Sequence, residues 1–424
     1  MHTCKASSLD LFTDSLRLMG DATLCGVMEF DKELPAKSVQ AAAQACLMAH
    51  PILCSRLVRK NGPAYWEILD NVQMPKPEVI MCGEYYHHLV QQAVSADSPP
   101  LFSVKILRRP SGDVLVVNLA HAAADGFGLS VLMNALLEEY KNPGKILPEI
   151  GGLPERDTLW TADMCRAISE QEGAFGALAG ESPEMKIIDP MWPDPFGTSD
   201  QPFDYHRIII SPDELSALKS GAKKSGASIN DAILSAYFMT MSTLTGHYGP
   251  IDIFYPVNLR QYLSDDSRVM SNQSANVSIT LERRAQDTIK EILLQVSQKT
   301  AKIKRNKTAV TEQAAMDSAC DQEGLHIQKM VEEMANLQEK GFADIFISNP
   351  GALTLADTPG LCDAYICYPG SFLPTTSFIA STFSGHMTVT IGFQKSKKAQ
   401  AKTWEALMLF KKHLLSISDL SANP

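Results

Sequence analysis

The stretch Val114-Leu-Val-Val-Asn-Leu-Ala-His121-Ala-Ala-Ala-Asp125-Gly126 places an apolar run directly before a histidine, an aspartate and a glycine. The apolar run is typical of a buried β-strand, and the residues after Gly126 have the spacing of an amphipathic helix that reaches Tyr140. Asp and Gly both tolerate the unusual backbone angles of a sharp turn. The stretch therefore predicts a strand, a tight turn and a helix, with His121 at the end of the strand.

A histidine at the end of a buried strand is held in one place and can face a cavity. An imidazole so placed suits a general base, because its ordinary pKa of about 6.5 lies close to neutral pH. Such a histidine is also commonly a structural residue whose ring makes one satisfied hydrogen bond. The local sequence leaves both roles open for His121.

Length and composition limit the class of protein. The chain of 424 residues is long enough for two cores of about 200 residues each, and its content of 45% hydrophobic and 20% charged residues indicates a globular protein. The formal net charge of −10 argues against nucleic acid as a partner. We expect no transmembrane segment and no signal peptide, since no apolar run reaches the roughly 18 residues that span a bilayer.

Nine cysteines are scattered along the chain without a Cys-x-x-Cys motif. An odd number of scattered cysteines favours free thiols over a disulfide framework, so we expect a cytoplasmic protein. His87 and His88 are adjacent, and their side chains diverge in a helix or a strand. Because no cysteine or acidic partners follow at ligand spacing, we expect no metal site.

Strand-like and helix-like stretches alternate along the chain. The first half is predicted to contain strands at 23–30, 102–107 and 114–120 and a helix at 36–50. The second half is predicted to contain strands at 205–211, 251–257, 276–281, 343–348, 377–383 and 387–393, and helices that follow Ser211 and Ser228 or cover 285–305, 311–340 and 399–416.

Glycine and proline concentrate between Gly180 and Pro202, which argues against a regular helix or a central strand there. We therefore take residues 181–204 as a linker. It would join an N-terminal half, 1–180, which carries the histidine, to a C-terminal half, 205–424.

Seven short segments occur in an order that one superfamily shares. They are His50-Pro51-Ile52-Leu53, Pro100-Leu101-Phe102, His121-Ala-Ala-Ala-Asp125-Gly126, Ser228-Ile-Asn230-Asp231-Ala-Ile-Leu, Pro256-Val257-Asn258-Leu259-Arg260, Ser348-Asn349-Pro350-Gly351 and Thr382-Phe383-Ser384-Gly385. In this order the chain resembles the chloramphenicol acetyltransferase-like superfamily, which includes condensation domains of peptide synthetases, wax-ester synthases and alcohol acetyltransferases. The resemblance covers nearly the whole chain.

The resemblance implies an α/β fold of two chloramphenicol-acetyltransferase-like sandwich halves that meet in a V, with a tunnel at the seam and His121 at its middle. It implies an acyltransferase whose donor, an acyl-CoA or an acyl carrier protein, enters from one side and whose small-molecule alcohol or amine acceptor enters from the other. His121 would deprotonate the acceptor as it attacks the thioester carbonyl. No tightly bound cofactor is implied, because the CoA or phosphopantetheine thioester is a co-substrate.

One departure from the family pattern is Ala120, which stands where condensation domains usually carry the first of two adjacent histidines. It disfavours a peptide-synthetase condensation domain and favours a simpler free-standing acyltransferase. Two alternatives stay open, a non-catalytic binding relative of the same fold and a free-standing condensation enzyme of a peptide or lipid assembly line.

The resemblance also implies that Asp125, next to Gly126, forms a structural ion pair with Arg260 of the other half. The alternative is that Asp125 orients His121 directly, as in a catalytic dyad. An unpaired buried carboxylate would cost several kcal/mol, so a partner is expected in either case.

Ser348 and Asn349 are candidates for donating a hydrogen bond to the developing oxyanion, with an ordinary Asn-Pro-Gly turn as the alternative. Asn230 and Asp231 are expected to brace their helix rather than touch substrate. A basic run could meet the phosphates of coenzyme A or an acidic carrier protein, but such a run is more often a solvated helix end. Its members are Lys302, Lys304, Arg305 and Lys307.

Overall fold

A computed structural model describes residues 3–59, 63–144, 203–262, 270–320, 325–339, 346–368, 377–395 and 397–421. The predicted linker 181–204 lies outside the described residues except for its last two positions, which open a strand. The strands are β1 (Thr3–Lys5), β2 (Thr23–Phe30), β3 (Ser55–Val58), β4 (Tyr65–Ile68), β5 (Glu78–Met81), β6 (Phe102–Arg109), β7 (Gly112–Ala120), β8 (Phe203–Ile210), β9 (Gly249–Asn258), β10 (Ser274–Arg283), β11 (Ile347–Ala352), β12 (Leu361–Cys367), β13 (Phe378–Phe383) and β14 (His386–Gln394). The helices are α1 (Ser8–Ser15), α2 (Ala36–Ala49), α3 (Gly126–Lys141), α4 (Pro212–Lys224), α5 (Ile229–Thr245), α6 (Ile289–Arg305), α7 (Thr308–Ala319), α8 (Leu325–Glu339) and α9 (Lys397–Ser416).

A five-stranded sheet of order β12-β2-β7-β6-β5 is the framework of the N-terminal lobe. Strand β7 lies in its middle, antiparallel to β2 and β6, and all nine of its residues are buried. Apolar side chains of α2 and α3 pack against one face of the sheet and form one core with it. Because α3 begins directly after the turn that follows β7, this packing holds His121 in place at the end of the strand.

The C-terminal lobe contains a four-stranded sheet of order β11-β13-β14-β8 and the antiparallel pair β9–β10. Helices α4, α5, α6 and α9 supply buried apolar side chains to its core. Ser211 caps α4 as predicted, and Ser228 caps α5. In both helices the cap hydroxyl accepts a hydrogen bond from the third helical N–H, and the carboxylate of that third residue accepts one from the cap N–H.

The second half of the sequence contributes elements to the N-terminal lobe. Strand β12, which comes late in the chain, pairs antiparallel with β2 and completes one edge of the N-terminal sheet. Helix α8 also contributes to the N-terminal core, through Ile327 and Val331. Elements from 205–424 thus share a sheet and a core with elements from 1–180.

Strand β8 joins the lobes at the face of the N-terminal sheet that α2 and α3 leave open. Its Tyr205 packs among apolar residues of that face, and the Tyr205 hydroxyl lies 2.8 Å from the Tyr365 hydroxyl of β12. Its Arg207 forms an ion pair with Glu29 of β2 at 2.7 Å. This buried contact fixes the lobes against each other on the side of the sheet opposite α3.

Most predicted elements are present, with three differences. The predicted helix 311–340 is two helices, α7 and α8. The predicted strand 343–348 is β11, which begins at Ile347, and residues 343–345 lie outside the described part. Several elements have no counterpart among the predictions: β1, β3, β4, β5, β12 and α1. Over the described ranges, no helix has the length and apolar character that crossing a bilayer requires.

Candidate active site

His121 follows the last residue of β7, and its backbone N–H donates a hydrogen bond to the Ala22 carbonyl at 3.0 Å. The imidazole Nδ1 lies 3.2 Å from the carbonyl oxygen of Ala124. A carbonyl oxygen can only accept, so Nδ1 carries the hydrogen and Nε2 keeps its lone pair. The ring therefore has the tautomer that a base acting through Nε2 requires.

The pKa of His121 is lowered from the ordinary value of an imidazole because burial disfavours the charged ring. Hydrogen bonds and the negative charge of Asp125 act in the opposite direction without overcoming the burial. The imidazole is therefore neutral at pH 7, the state in which it can accept a proton.

A cavity of about 620 Å³ lies beside His121. This volume is in the range of sites that hold small organic ligands. Small residues next to the histidine, including Ala22, Ala120 and Ala122, form part of its wall. Its polar lining residues are Asp14, Arg17, Asp21, His88, Gln91 and Ser95.

Two carboxylates of this cavity have protein partners. Asp21 accepts hydrogen bonds from the Thr23 hydroxyl and the Gln91 amide, each at 2.6 Å. Asp14 pairs with Arg17 at 3.1 Å and with Arg59. Sequence reasoning did not find these residues, because they lie in separate segments of the chain and form no motif.

Asp125 lies just past the histidine and is 2% exposed. One carboxylate oxygen, Oδ2, accepts from Arg260 Nη1 at 2.8 Å, from the Gln273 N–H at 2.9 Å and from the Ser274 hydroxyl at 3.0 Å. The other, Oδ1, accepts from the Gly128 N–H at 2.9 Å and caps α3. Both oxygens are thus engaged by donors other than the imidazole.

The ion pair that the resemblance implies is therefore present between Asp125 and Arg260, both of which are buried. Burial opposes ionisation of Asp125, but the guanidinium and the backbone donors outweigh it and hold the pKa of the carboxyl below its usual value. The partner of His121 Nδ1 is the Ala124 carbonyl and not Asp125, so the geometry favours the structural role over the dyad.

The segment around Asn349 approaches the start of α3. A Cβ placed on Gly126 would lie 3.5 Å from the Pro350 side chain, which is an ordinary contact. Asn349 Oδ1 accepts from the Gly351 N–H at 3.1 Å, and its Nδ2 donates to Asn230 Oδ1 at 3.3 Å. This is the geometry of the turn alternative, and neither Ser348 nor Asn349 lines the cavity beside His121.

Of the other polar residues considered in the sequence, only His88 lines the same cavity as His121. Asp231 belongs to the capping box of α5 and accepts from the Thr300 hydroxyl at 2.6 Å, so it braces its helix. The basic run lies at the exposed C-terminal end of α6, where it complements the helix dipole.

His87 stacks on Tyr205, whereas His88 lines the cavity. Within the described ranges, no group of three or more His, Cys, Asp or Glu is placed to hold a metal ion.

No family model matches the chain. An uncharacterised protein of Mycobacterium tuberculosis is 25% identical over 303 residues, which are 66% of this chain and 67% of that protein. Polyketide synthase associated protein 5 from Mycobacterium tuberculosis superposes with a TM-score of 0.69 at 17% identity, over 98% of this chain and 99% of its own. The first condensation domain of the CDA synthetase superposes with a TM-score of 0.70 at 13% identity, over 99% and 96% of the two chains.

These structural likenesses extend over both lobes and nearly the whole chain. The chain therefore has the two-lobed, chloramphenicol-acetyltransferase-like α/β fold of condensation domains.

Proposed function

We propose that this protein is an acyltransferase that moves an acyl group from a thioester to a hydroxyl or amine acceptor, with His121 as the general base. The observation that carries the proposal is a partly buried, neutral imidazole at the wall of a ligand-sized cavity, with Nδ1 bonded to the Ala124 carbonyl. That bond leaves Nε2 as the proton acceptor.

In the proposed reaction, the acceptor binds in the cavity with its proton directed at Nε2 of His121. As the acceptor oxygen or nitrogen forms a bond to the thioester carbonyl carbon, this proton passes to the imidazole. Collapse of the tetrahedral intermediate breaks the carbon–sulfur bond, and the departing thiolate takes the proton from the imidazolium. The products are a free thiol and an ester or amide, and His121 is neutral again.

Two donors carry the required thioester, an acyl-CoA and an acyl group on the phosphopantetheine arm of a carrier protein. One structural neighbour is named as associated with a polyketide synthase, and another is a condensation domain of a synthetase. These likenesses support a carrier-protein donor and a place in a peptide or polyketide assembly line. Ala120, in place of the usual first histidine, supports a free-standing enzyme rather than a peptide-bond-forming domain.

The test presents the same acyl group on coenzyme A and on a phosphopantetheine-bearing carrier protein, each with a panel of alcohols and amines. Release of free thiol that depends on the acceptor, and that disappears in His121→Ala, is the expected result. The choice of donor follows from which thioester is consumed. Binding of an acyl thioester without acceptor-dependent thiol release, for every combination, would instead favour the non-catalytic relative.

A further inference from the structure

Asp21 lines the same cavity as His121. It comes two residues before Thr23, the first residue of β2, and Thr23 pairs with Ala120 at the end of β7. The residue between them, Ala22, accepts the His121 N–H at 3.0 Å through its carbonyl. The carboxylate and the imidazole are therefore carried by adjacent backbone segments that the sheet holds together.

Uncharged donors hold the Asp21 side chain in place. Its Oδ1 accepts from the Thr23 hydroxyl and its Oδ2 from the Gln91 amide, each at 2.6 Å. Thr23 is fully buried, and its hydroxyl oxygen also accepts the Val94 N–H at 3.1 Å. Lys105 donates to the Gln91 carbonyl at 3.0 Å and so fixes the segment that carries Gln91. Each carboxylate oxygen is thus held by one donor and keeps a second lone pair for another.

The negative charge of Asp21 has no counterion within the described ranges, where no lysine or arginine forms an ion pair with it. Asp14, the other carboxylate of the cavity, differs because it pairs with Arg17 and Arg59. Arg17 also lines the cavity, but its side chain is 53% exposed, so solvent screens its charge. Asp21 therefore contributes a carboxylate without a counterion to the cavity wall.

Such a carboxylate favours a ligand of opposite charge. When a ligand displaces water from Asp21, an uncharged group leaves the charge uncompensated, whereas an ammonium supplies a positive charge and three N–H donors. Hydrogen bonds between ionised groups are also roughly twice as strong as those between neutral groups. Ala93, Val94 and Phe203 give the wall an apolar part that suits an alkyl chain.

We propose that Asp21 binds a protonated amine of the acceptor. The acceptor is then an amino alcohol or a diamine, whose ammonium contacts the Asp21 carboxylate while its hydroxyl or neutral amine faces Nε2 of His121. This assignment rests on the proposed function, in which the acceptor occupies the cavity. Asp21 selects the acceptor, and His121 takes its proton.

The experiment measures binding by calorimetry at neutral pH, with amino alcohols of about three to eight carbons and with the diol of each length. The two members of a pair differ in one end group, an ammonium or a hydroxyl. At the best-fitting length, the wild type should bind the amino alcohol about tenfold more tightly than the diol, or more. This preference should shrink at high salt.

Asp21→Asn should reduce the preference to about twofold or less, because it removes the charge and keeps the shape. The variant should fold, since the new amide oxygen can accept from Thr23 and the new amide nitrogen can donate to Gln91 once the Gln91 amide rotates. Its melting temperature checks this. The salt dependence of the wild type tests the same charge without a substitution.

Asp252→Asn is the matched control. Asp252 is likewise partly buried and accepts from a threonine hydroxyl, that of Thr280, but it lies on β9 in the other lobe. The substitution makes the same change in net charge and should leave the preference at its wild-type value.

Equal binding of the amino alcohol and the diol at every length, no binding of any amino alcohol, or a preference that Asp21→Asn retains would overturn the assignment of Asp21. These measurements do not depend on turnover. If the amino alcohols bind through Asp21 but no thioester acylates them, the proposed function fails and the Asp21 site stands.

Discussion

The Asp125 carboxylate and the Arg260 guanidinium lie 2.8 Å apart, although 135 residues separate them in the sequence. Asp125 caps the helix that follows the His121 turn, and Arg260 lies two residues after the end of β9 in the other lobe. Arg260 also donates to the Ser271 carbonyl at 2.8 Å. This pair therefore connects the turn that carries the histidine to the C-terminal lobe.

Removing one partner of this pair should leave the other as a buried charge without a counterion. We expect Asp125→Asn and Arg260→Gln each to cost roughly 3–5 kcal/mol of unfolding free energy and to reduce activity, since the His121 turn loses its anchor. The double variant should cost clearly less than the sum of the single variants. Chemical denaturation of the four proteins measures the cycle, and strictly additive losses would show that the two residues are not coupled.

The pH dependence of acyl transfer should follow the ionisation of His121. Only the neutral imidazole accepts a proton, so kcat/KM should rise with pH through the pKa of His121 and then stay level. Burial lowers that pKa, so the midpoint should lie below the ordinary value of about 6.5. A profile from pH 4 to pH 8 on a confirmed substrate measures it, and a midpoint above the ordinary imidazole value would contradict the assignment.

A substitution of Asn349 distinguishes the oxyanion role of this residue from its role in the turn. Its amide is engaged with Gly351 and Asn230, so Asn349→Ala should reduce the free energy of unfolding by about 1 kcal/mol with little change in turnover. Thermal melts and steady-state kinetics on the same preparation distinguish the two roles. A fall in kcat of about 100-fold or more, at unchanged stability, would establish the oxyanion role.

Local signals were sufficient for the elements that carry the candidate site. The apolar run of β7 predicts the strand and places His121 at its end, because such a run needs burial on both faces. Ser211, followed by Pro212 and two acidic residues, predicts the start of α4. Contacts between distant segments were not available from these patterns. The Asp125–Arg260 pair was expected only from the family resemblance, which supplied the three-dimensional relation.

Strand β12 and Asn272 show what local patterns miss. The sequence of β12 is short and includes the charged Asp363, which pairs with Arg207 and His386, so the apolar pattern of a strand is interrupted. Its pairing with β2 is decided by a sheet edge more than 300 residues earlier. Asn272 belongs to no motif or periodic pattern, and its hydrogen bonds to Asp10 and to the Ala122 carbonyl form only when α1 and the His121 turn pack on either side of it.

The most direct test of the account is the turnover of His121→Ala with a confirmed thioester donor and acceptor. The substitution removes the proposed base and leaves the Asp125–Arg260 pair in place, so the variant should fold with a melting temperature close to that of the wild type. We predict a loss of acyl transfer of roughly 10²–10⁴-fold, the usual contribution of a positioned base. Near wild-type turnover by a correctly folded His121→Ala protein would contradict the assignment of His121 as the general base.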